Sequence, residues 1–170
     1  MTQWHLAQAN IARAVAPLDE PVMAEFVARL DAINAVADAS PGFVWRLQGD
    51  TGNATEIQAY GDPRIIFNMS VWETSEALFD YVYKSDHLSV LRRRKDWFER
   101  AHRPSAALWW IEAGRTPSVE DGVARLEHLA EHGPTARAFT FKERFPPPNE
   151  RSGGAAAPDL IPEEYCMGWA

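Results

Sequence analysis

Residues 65–72 show the clearest alternation of side chains along the chain. Ile65, Phe67, Met69 and Val71 occupy one set of alternate positions, and Ile66, Asn68, Ser70 and Trp72 occupy the other. Because successive side chains of a β-strand point to opposite faces of a sheet, this alternation predicts a strand with two unlike faces. One face is apolar, and the other mixes polar with aromatic groups.

The same patterning along the rest of the chain predicts a mixed α+β fold. Strands are predicted at residues 4–12, 43–48, 55–60, 65–72, 106–113 and 137–145, and helices at 21–39, from Thr74 or Ser75 onward, at 86–100 and at 118–131. The 55–60 strand is predicted as the hairpin partner of the 43–48 strand. This order indicates a ferredoxin-like βαββαβ fold, with an antiparallel sheet, helices on one face and an extra C-terminal helix and strand.

Helices on one face leave the other face of the sheet for water, a ligand or a second copy of the chain. If the helices cover the face with Phe67, the open face carries Asn68, Ser70 and Trp72. By alternation the neighbouring strands add Gln8, Asn10, Arg46 and one of Trp109 and Trp110. A sheet face in water seldom carries tryptophan, whereas ligand sites are aromatic-lined with a few placed polar groups. The pattern favours a cavity wall, and a buried interface is the alternative.

Length and composition are those of one globular domain. The chain has 170 residues, of which 46% are hydrophobic and seven are tryptophan. We predict a single domain over residues 1–145, followed by a Pro/Gly/Ala-rich tail over 146–170. The apolar end of that tail could dock on this chain or on a partner subunit, or it could be loose.

The charge distribution narrows the choice of partners. The net charge of −7 argues against a nucleic-acid partner, which normally needs a basic surface. Residues 84–103 are the exception, with seven basic and three acidic residues. This basic stretch could attract an anionic ligand, or its residues could form ion pairs on solvated helices.

Several functional classes lack their sequence signatures. The single cysteine, Cys166, excludes an internal disulfide and a cysteine-based zinc site. We find no signal peptide and no membrane span, which predicts a cytoplasmic protein. There is no glycine-rich phosphate loop and no dinucleotide fingerprint, so a nucleotide cofactor is not expected. His128 and His132 are four residues apart on a helix without a third ligand, so no metal site is predicted.

Candidate chemistry centres on His87 and Arg46. His87 follows Ser85 and Asp86 at a predicted helix start, where a neutral imidazole could act as a general base. The alternative is a histidine hydrogen-bonded to backbone. Arg46 lies within a strand and needs a carboxylate partner, with Glu73 or Glu112 as structural candidates, or an anionic ligand.

The remaining candidates would bind the substrate. Asn68, with Arg46, could hold an oxyanion. The other predicted substrate-binding residues are Gln8, Asn10, Ser70, Trp72 and Trp109. The amides and the hydroxyl could orient a carbonyl or satisfy one another, and the tryptophans could stack on a flat ring or simply pack in the core.

Several segments resemble a bacterial family of unknown function. They are residues 4–10, 41–47, 68–73, 86–87, 93–98, 108–110 and 133–135, so that the resemblance covers about residues 3–145. The family is identified as a member of the dimeric α/β-barrel superfamily, alongside the antibiotic-biosynthesis monooxygenases. The resemblance implies two ferredoxin-like subunits paired sheet to sheet, each with a cavity between its sheet and helices.

The resemblance leaves three functions open. The first is a cofactor-independent monooxygenase or an isomerase-like enzyme acting on an aromatic or activated carbonyl substrate, with His87 as base. The second is a haem-binding enzyme with His87 on the iron. The third is a non-catalytic ligand-binding or assembly protein. Fold alone does not choose among them.

Overall fold

The computed structural model describes residues 2–149, and these form a four-stranded antiparallel sheet with helices on both faces. The strands are β1 (Trp4–Arg13), β2 (Phe43–Arg46), β3 (Ile65–Trp72) and β4 (Ala106–Glu112), and the helices are α1 (Ala24–Asp38), α2 (Ser75–Lys84), α3 (His87–Arg92) and α4 (Val119–His132). The strand order β2-β3-β1-β4 and the antiparallel pairing of every neighbour are those of a ferredoxin-like sheet. The predicted fold class is confirmed.

The helix starts follow from local capping chemistry. The Thr74 hydroxyl accepts a hydrogen bond from the Ala77 amide at 3.1 Å, which caps α2 as predicted. At α4, Ser118 and Asp121 form a reciprocal capping box. Because these bonds satisfy amides that have no partner within the helix, they set where each helix begins.

Two predicted strands are wrong. Residues 55–60 form turns and bends, and the strand that pairs with β2 is β3. Residues 137–145 do not form a strand, and their backbone pairs with the sheet at Phe139, which exchanges two hydrogen bonds with Leu108 at 2.8 and 2.9 Å. Beyond it, Phe141 packs edge-on against Phe79 of α2, so aromatic packing replaces a strand ladder.

The predicted 86–100 helix is also too long. After α3 the chain makes a 3-10 turn over Arg94–Asp96 and then pairs with the end of β1. The Val15 amide bonds the Trp97 carbonyl, and the Glu99 amide bonds the Arg13 carbonyl, each at 2.9 Å. These backbone bonds outside the helix end it early.

The two faces of the sheet are covered by different helices, which differs from the predicted one-sided cover. The apolar face with Phe67, Met69 and Val71 packs against Leu126 and Leu129 of α4. The face with Asn68, Ser70 and Trp72 lies under α1, α2 and α3 instead. The polar face is therefore internal, and the predicted open face is wrong because α4 closes the side that was expected to meet the main helices.

The tail prediction falls mostly beyond the described residues. Of the predicted tail, 146–170, only 146–149 lie within the described part, and Asn149 Nδ2 donates to the Thr2 carbonyl at 3.1 Å. Trp110 Nε1 likewise donates to the Phe145 carbonyl at 2.7 Å, which holds the segment before the tail against β4.

Candidate functional site

A cavity of about 120 Å³ lies between the polar face of the sheet and the helices. Its lining from the strands comprises Gln8, Asn10, Ala12, Arg46, Ile66, Asn68, Met69, Ser70 and Trp72, and Leu47 after β2 adds to it. Helix α1 contributes Phe26, Leu30, Ile33, Asn34 and Ala37, and the segment from α2 to Phe98 contributes Tyr81, His87, Val90, Leu91, Arg94 and Phe98. Seven of the eight residues predicted as site residues line this one cavity.

Ser70 is the centre of a buried hydrogen-bond network in the cavity floor. Its Oγ accepts a bond from Gln8 Nε2 at 3.0 Å and one from Trp72 Nε1 at 2.8 Å. Gln8 faces Ser70 across the β1–β3 ladder, so the register of the two strands brings the pair together. With both acceptor positions of the hydroxyl occupied, the capacity left to Ser70 is its own O–H donor.

Asn10 contributes a buried acceptor beside this network. The residue is 2% exposed, and its Oδ1 accepts no hydrogen bond from any described residue. A buried polar atom without a partner costs free energy, and natural structures contain few of them. This oxygen in a cavity wall is therefore a position at which a ligand donor would be stabilising.

Asn68 lies across the ladder from Asn10 and is exposed, which puts it at the cavity mouth. The strand β2 ends at Arg46, so this part of β3 is not covered along its whole edge. The two asparagines thus differ in role: Asn10 lies in the closed part of the cavity, and Asn68 lies where the cavity meets solvent.

His87 is the first residue of α3 and is buried in the cavity wall. Burial lowers its pKa from 6.5 to about 4, and a hydrogen bond with the Val82 backbone opposes that shift in part. The imidazole is therefore neutral at physiological pH. The prediction of a neutral ring agrees with this direction, but the cause is burial, not the helix terminus.

Three aromatic rings form a continuous stack beside the cavity. Tyr81 stacks on Trp72 with ring centroids 5.0 Å apart, and it meets the His87 ring at 4.9 Å in a tilted arrangement. Burial raises the pKa of Tyr81, so its phenol keeps its proton. The stack fixes the orientation of the imidazole relative to the sheet.

Arg46 lines the cavity, and its guanidinium is bound by Asp38 and by the backbone at Gly52. Its Nε and Nη2 donate to the two oxygens of Asp38 at 2.8 and 3.2 Å, and its Nη1 donates to the Gly52 carbonyl at 2.7 Å. The partner is Asp38, not Glu73 or Glu112, the two candidates from the sequence. This fork-to-carboxylate geometry ties β2 to the end of α1.

Arg94, Asn34 and Tyr81 are cavity residues that the sequence analysis missed. Arg94 follows His87 by seven residues, which is about two helical turns. The 3-10 turn continues α3, so that both side chains line the cavity. Partial burial lowers the pKa of Arg94. The helical spacing of His87, Leu91 and Arg94 was the sequence signal that places them on one face. Arg94 did not stand out because its neighbours in the sequence are also basic.

Trp109 is the one predicted site residue that lies elsewhere. It pairs with Ala7 on the apolar face of the sheet, is 1% exposed and packs in the cluster that α4 covers. Arg125 of α4 lies over its ring, 5.7 Å from the centroid. The neighbouring Trp110 lies on the other face but does not line the cavity.

The basic stretch at 84–103 forms ion pairs in part. Lys84 pairs with Asp80 at 2.6 Å, and Arg93 pairs with Glu25 of α1 and with Asp96, the latter at 3.0 Å. The Arg93 pair holds the pKa of Glu25 well below its usual value, at about 2. The Arg93–Glu25 pair joins α1 to the segment that carries Arg94.

The closed space of the cavity is small compared with a haem group. An engineered cavity of about 150 Å³ in another protein holds one benzene ring. A macrocycle of four pyrroles with two propionates is several times larger than the space here, about 120 Å³.

Among residues 2–149, no three His, Cys, Asp or Glu side chains are grouped in a way that could hold a metal ion. In the same range, no helix has the length and apolarity needed to cross a bilayer.

Fold and site together define an α+β protein of the ferredoxin-like class with a small cavity between its sheet and helices. The chain belongs to a family described as a domain of unknown function (DUF3291), which matches residues 5–155. This confirms the unknown-function family that the sequence motifs resemble. No curated protein matches the sequence significantly.

The solved structures that are similar to this chain include two that cover most of their own length. A protein of unknown function from Nitrosomonas europaea covers 68% of this chain and 97% of its own length, at 13% identity and a TM-score of 0.44. The cofactor-independent oxygenase SnoaB from Streptomyces nogalater covers 66% of this chain and 95% of its own, at 15% identity and a TM-score of 0.42. Neither likeness assigns an activity to this chain.

Proposed function

We propose that this protein is a small-molecule enzyme whose reaction begins when His87 removes a proton from a bound substrate. The observation that carries the proposal is a neutral, buried imidazole in the wall of a cavity that also presents several polar strand residues. Buried titratable groups with shifted pKa values concentrate at functional sites, and a general base must be unprotonated to act.

The low pKa of His87 restricts which proton it can take. Burial disfavours the imidazolium, so a proton moves to His87 only if an anion forms beside it and stabilises the charged ring. The substrate must therefore yield a stabilised anion, such as a phenolate or an enolate. In this proposal Asn68 and the Asp38-anchored Arg46 hold the oxyanion at the cavity mouth.

Two reactions follow from such an anion without a cofactor. An electron-rich enolate or phenolate can react with molecular oxygen, which is the oxygenase alternative. The same anion can instead be reprotonated at another carbon, which is the isomerase alternative. Both begin with the same proton transfer, and they differ in whether oxygen is consumed.

The proposed partner is a small molecule, and self-association stays a prediction. The apolar face of the sheet, on which sheet-to-sheet pairing would depend, is covered by α4 in the single chain. With α4 in this position, two chains would pair through other surfaces, such as the outer side of α4. Nucleic acid, membrane and haem have no part in this proposal.

The test compares wild type with His87→Gln and with the exposed-site control His102→Gln. Each protein is incubated with a panel of single-ring phenols and cyclic 1,3-dicarbonyl compounds, while oxygen uptake and isomer formation are followed. We expect turnover to fall at least a hundredfold in His87→Gln and to stay unchanged in His102→Gln, with normal thermal unfolding in both. Full activity of His87→Gln would rule out the assigned base. Saturable binding without turnover of any panel member would favour the non-catalytic alternative.

A further inference from the structure

We infer that the ligand of this cavity is a compact, single-ring carboxylic acid that carries a hydroxyl or amino group. Its ring fills the closed part of the cavity, its N–H or O–H donates to Asn10 Oδ1, and its carboxylate lies beside Arg94. The inference rests on the proposed function in one respect, which is that the cavity is the substrate site.

The size of the cavity limits the ligand to one ring. About 120 Å³ is slightly less than the volume that holds a benzene in an apolar protein interior. Phe26 and Phe98 on the helix side and Trp72 on the sheet side offer flat or apolar walls to such a ring. A fused two-ring compound would extend past the closed part into the mouth.

Asn10 defines the hydrogen-bonding group that the ligand must carry. Its Oδ1 is an acceptor, buried and without a partner among the described residues. Gln8 Nε2 and Trp72 Nε1 donate to Ser70 instead, and no other described residue donates to the Asn10 oxygen. A ligand that donates at this point removes the penalty of the unpaired oxygen, whereas a ligand without a donor leaves that penalty in the complex.

The charges around the cavity define the second group. Arg94 and Arg46 line it, and no aspartate or glutamate is among its described lining residues. The carboxylate of Asp38 is taken up by the fork of Arg46. Arg94 is half-buried, so an anion next to it is screened less by water than it would be at the surface. The partly enclosed guanidinium of Arg94, in a lining without acidic side chains, favours an anionic ligand over a neutral one.

The probes are 3- and 4-hydroxybenzoate, compared with three analogues that each lack one feature. Benzoate lacks the donor, p-cresol lacks the acid, and 6-hydroxy-2-naphthoate has a second ring. Binding to the full-length chain is measured by titration calorimetry at pH 7. We expect one hydroxybenzoate isomer to bind with 1:1 stoichiometry and at least tenfold more tightly than any of the three analogues.

Two variants test the assigned contacts. Asn10→Leu removes the unpaired oxygen, so we expect at least tenfold weaker hydroxybenzoate binding with no decrease in the ligand-free Tm. A purely structural asparagine would instead lower the Tm when replaced. Arg94→Gln should weaken hydroxybenzoate binding at least tenfold and leave p-cresol binding unchanged, while the exposed-site control Arg103→Gln should alter neither.

The outcomes separate this inference from the proposed function. If neither isomer binds, if p-cresol binds as tightly as the acids, or if Asn10→Leu keeps full affinity, the ligand class is wrong. Specific binding of a hydroxybenzoate without turnover would support the ligand class and contradict the enzymatic proposal. If a neutral or two-ring substrate is turned over in a way that depends on His87, and no hydroxybenzoate binds, the enzymatic proposal is supported and the ligand class is contradicted.

Discussion

At the scale of single residues, His87 couples the cavity to protein stability. Its ring is buried, and burial lowers its pKa from 6.5 to about 4. Between these values the unfolded chain binds a proton at His87 that the folded chain does not. The free energy of unfolding therefore falls as pH drops from 6.5 toward 4, and this contribution levels off below pH 4.

We predict that this single group accounts for roughly 3 kcal/mol of acid destabilisation over that window. Urea unfolding of wild type and His87→Gln between pH 4 and 7.5 measures it. The His87→Gln protein should lose this part of the pH dependence, whereas His102→Gln, changed at an exposed site, should retain it. Identical pH profiles for wild type and His87→Gln would show that the imidazole is not kept neutral by the fold.

Ser70 is the second residue whose loss should be measurable. Ser70→Ala leaves the buried N–H groups of Gln8 and Trp72 without their acceptor. Because each unpaired buried donor costs about 1–3 kcal/mol, we expect a loss of about 2 kcal/mol or more in the free energy of unfolding. Ser89→Ala removes an exposed hydroxyl and should change stability by less than about 0.5 kcal/mol. Equal effects of the two changes would contradict the network.

At the scale of elements, helix α4 closes the apolar face of the sheet through a close approach at Gly122. A Cβ at this position would lie 2.7 Å from Phe67 Cζ, 2.9 Å from Met69 Sδ and 3.3 Å from Ala9 Cβ. Phe67 is fully buried, so its ring has no free space into which to move. The glycine allows the helix to lie against the sheet.

We therefore predict that Gly122→Ala destabilises the protein by roughly 1–2 kcal/mol, although glycine-to-alanine changes at exposed helical sites stabilise by up to about 1 kcal/mol. Chemical denaturation provides the measurement. Ala124→Gly, at an exposed position of the same helix, reports the helix-propensity effect alone and should cost about 1 kcal/mol. A stabilised Gly122→Ala protein would mean that α4 does not pack closely on the sheet.

The elements also show what the sequence could and could not predict. Alternation correctly placed Asn10, Asn68 and Ser70 on one face of the sheet, because the side to which a strand residue points depends only on its position along that strand. It could not say which helix covers that face, because packing of α4 depends on a contact between Gly122 and a residue 55 positions away. For the same reason it could not exclude Trp109, whose face is set by its register opposite Ala7.

Arg94 was missed for a different physical reason. Its seven-residue spacing from His87 is a local signal, but Arg94 is one of four consecutive basic residues, 92–95, and only the packing of the 3-10 turn decides which of them faces the cavity. Arg46 was recognised as an arginine in need of a partner. Its partner, Asp38, lies at the end of α1, and the contact becomes visible only when β2 and α1 pack together.

At the scale of the whole molecule, the fold builds a small cavity whose floor is the sheet and whose roof is α1, α3 and the 3-10 turn after α3. The floor supplies the Ser70 network and the Asn10 oxygen, and the roof supplies His87 and Arg94. We expect a small acid to enter this cavity and to contact His87. Binding there should perturb the ring of His87 and spare the other four of the chain's five histidines.

The most direct measurement is an NMR titration of protein labelled with ¹³C-histidine, using 3- and 4-hydroxybenzoate at pH 7. The His87 ring signal is identified by its absence from the spectrum of His87→Gln. We predict that it has the position of a neutral imidazole and shifts saturably, with 1:1 stoichiometry, while the signals of His5, His102, His128 and His132 stay in place. A His87 signal that is protonated at pH 7, or that does not move while the acid binds elsewhere, would contradict the account.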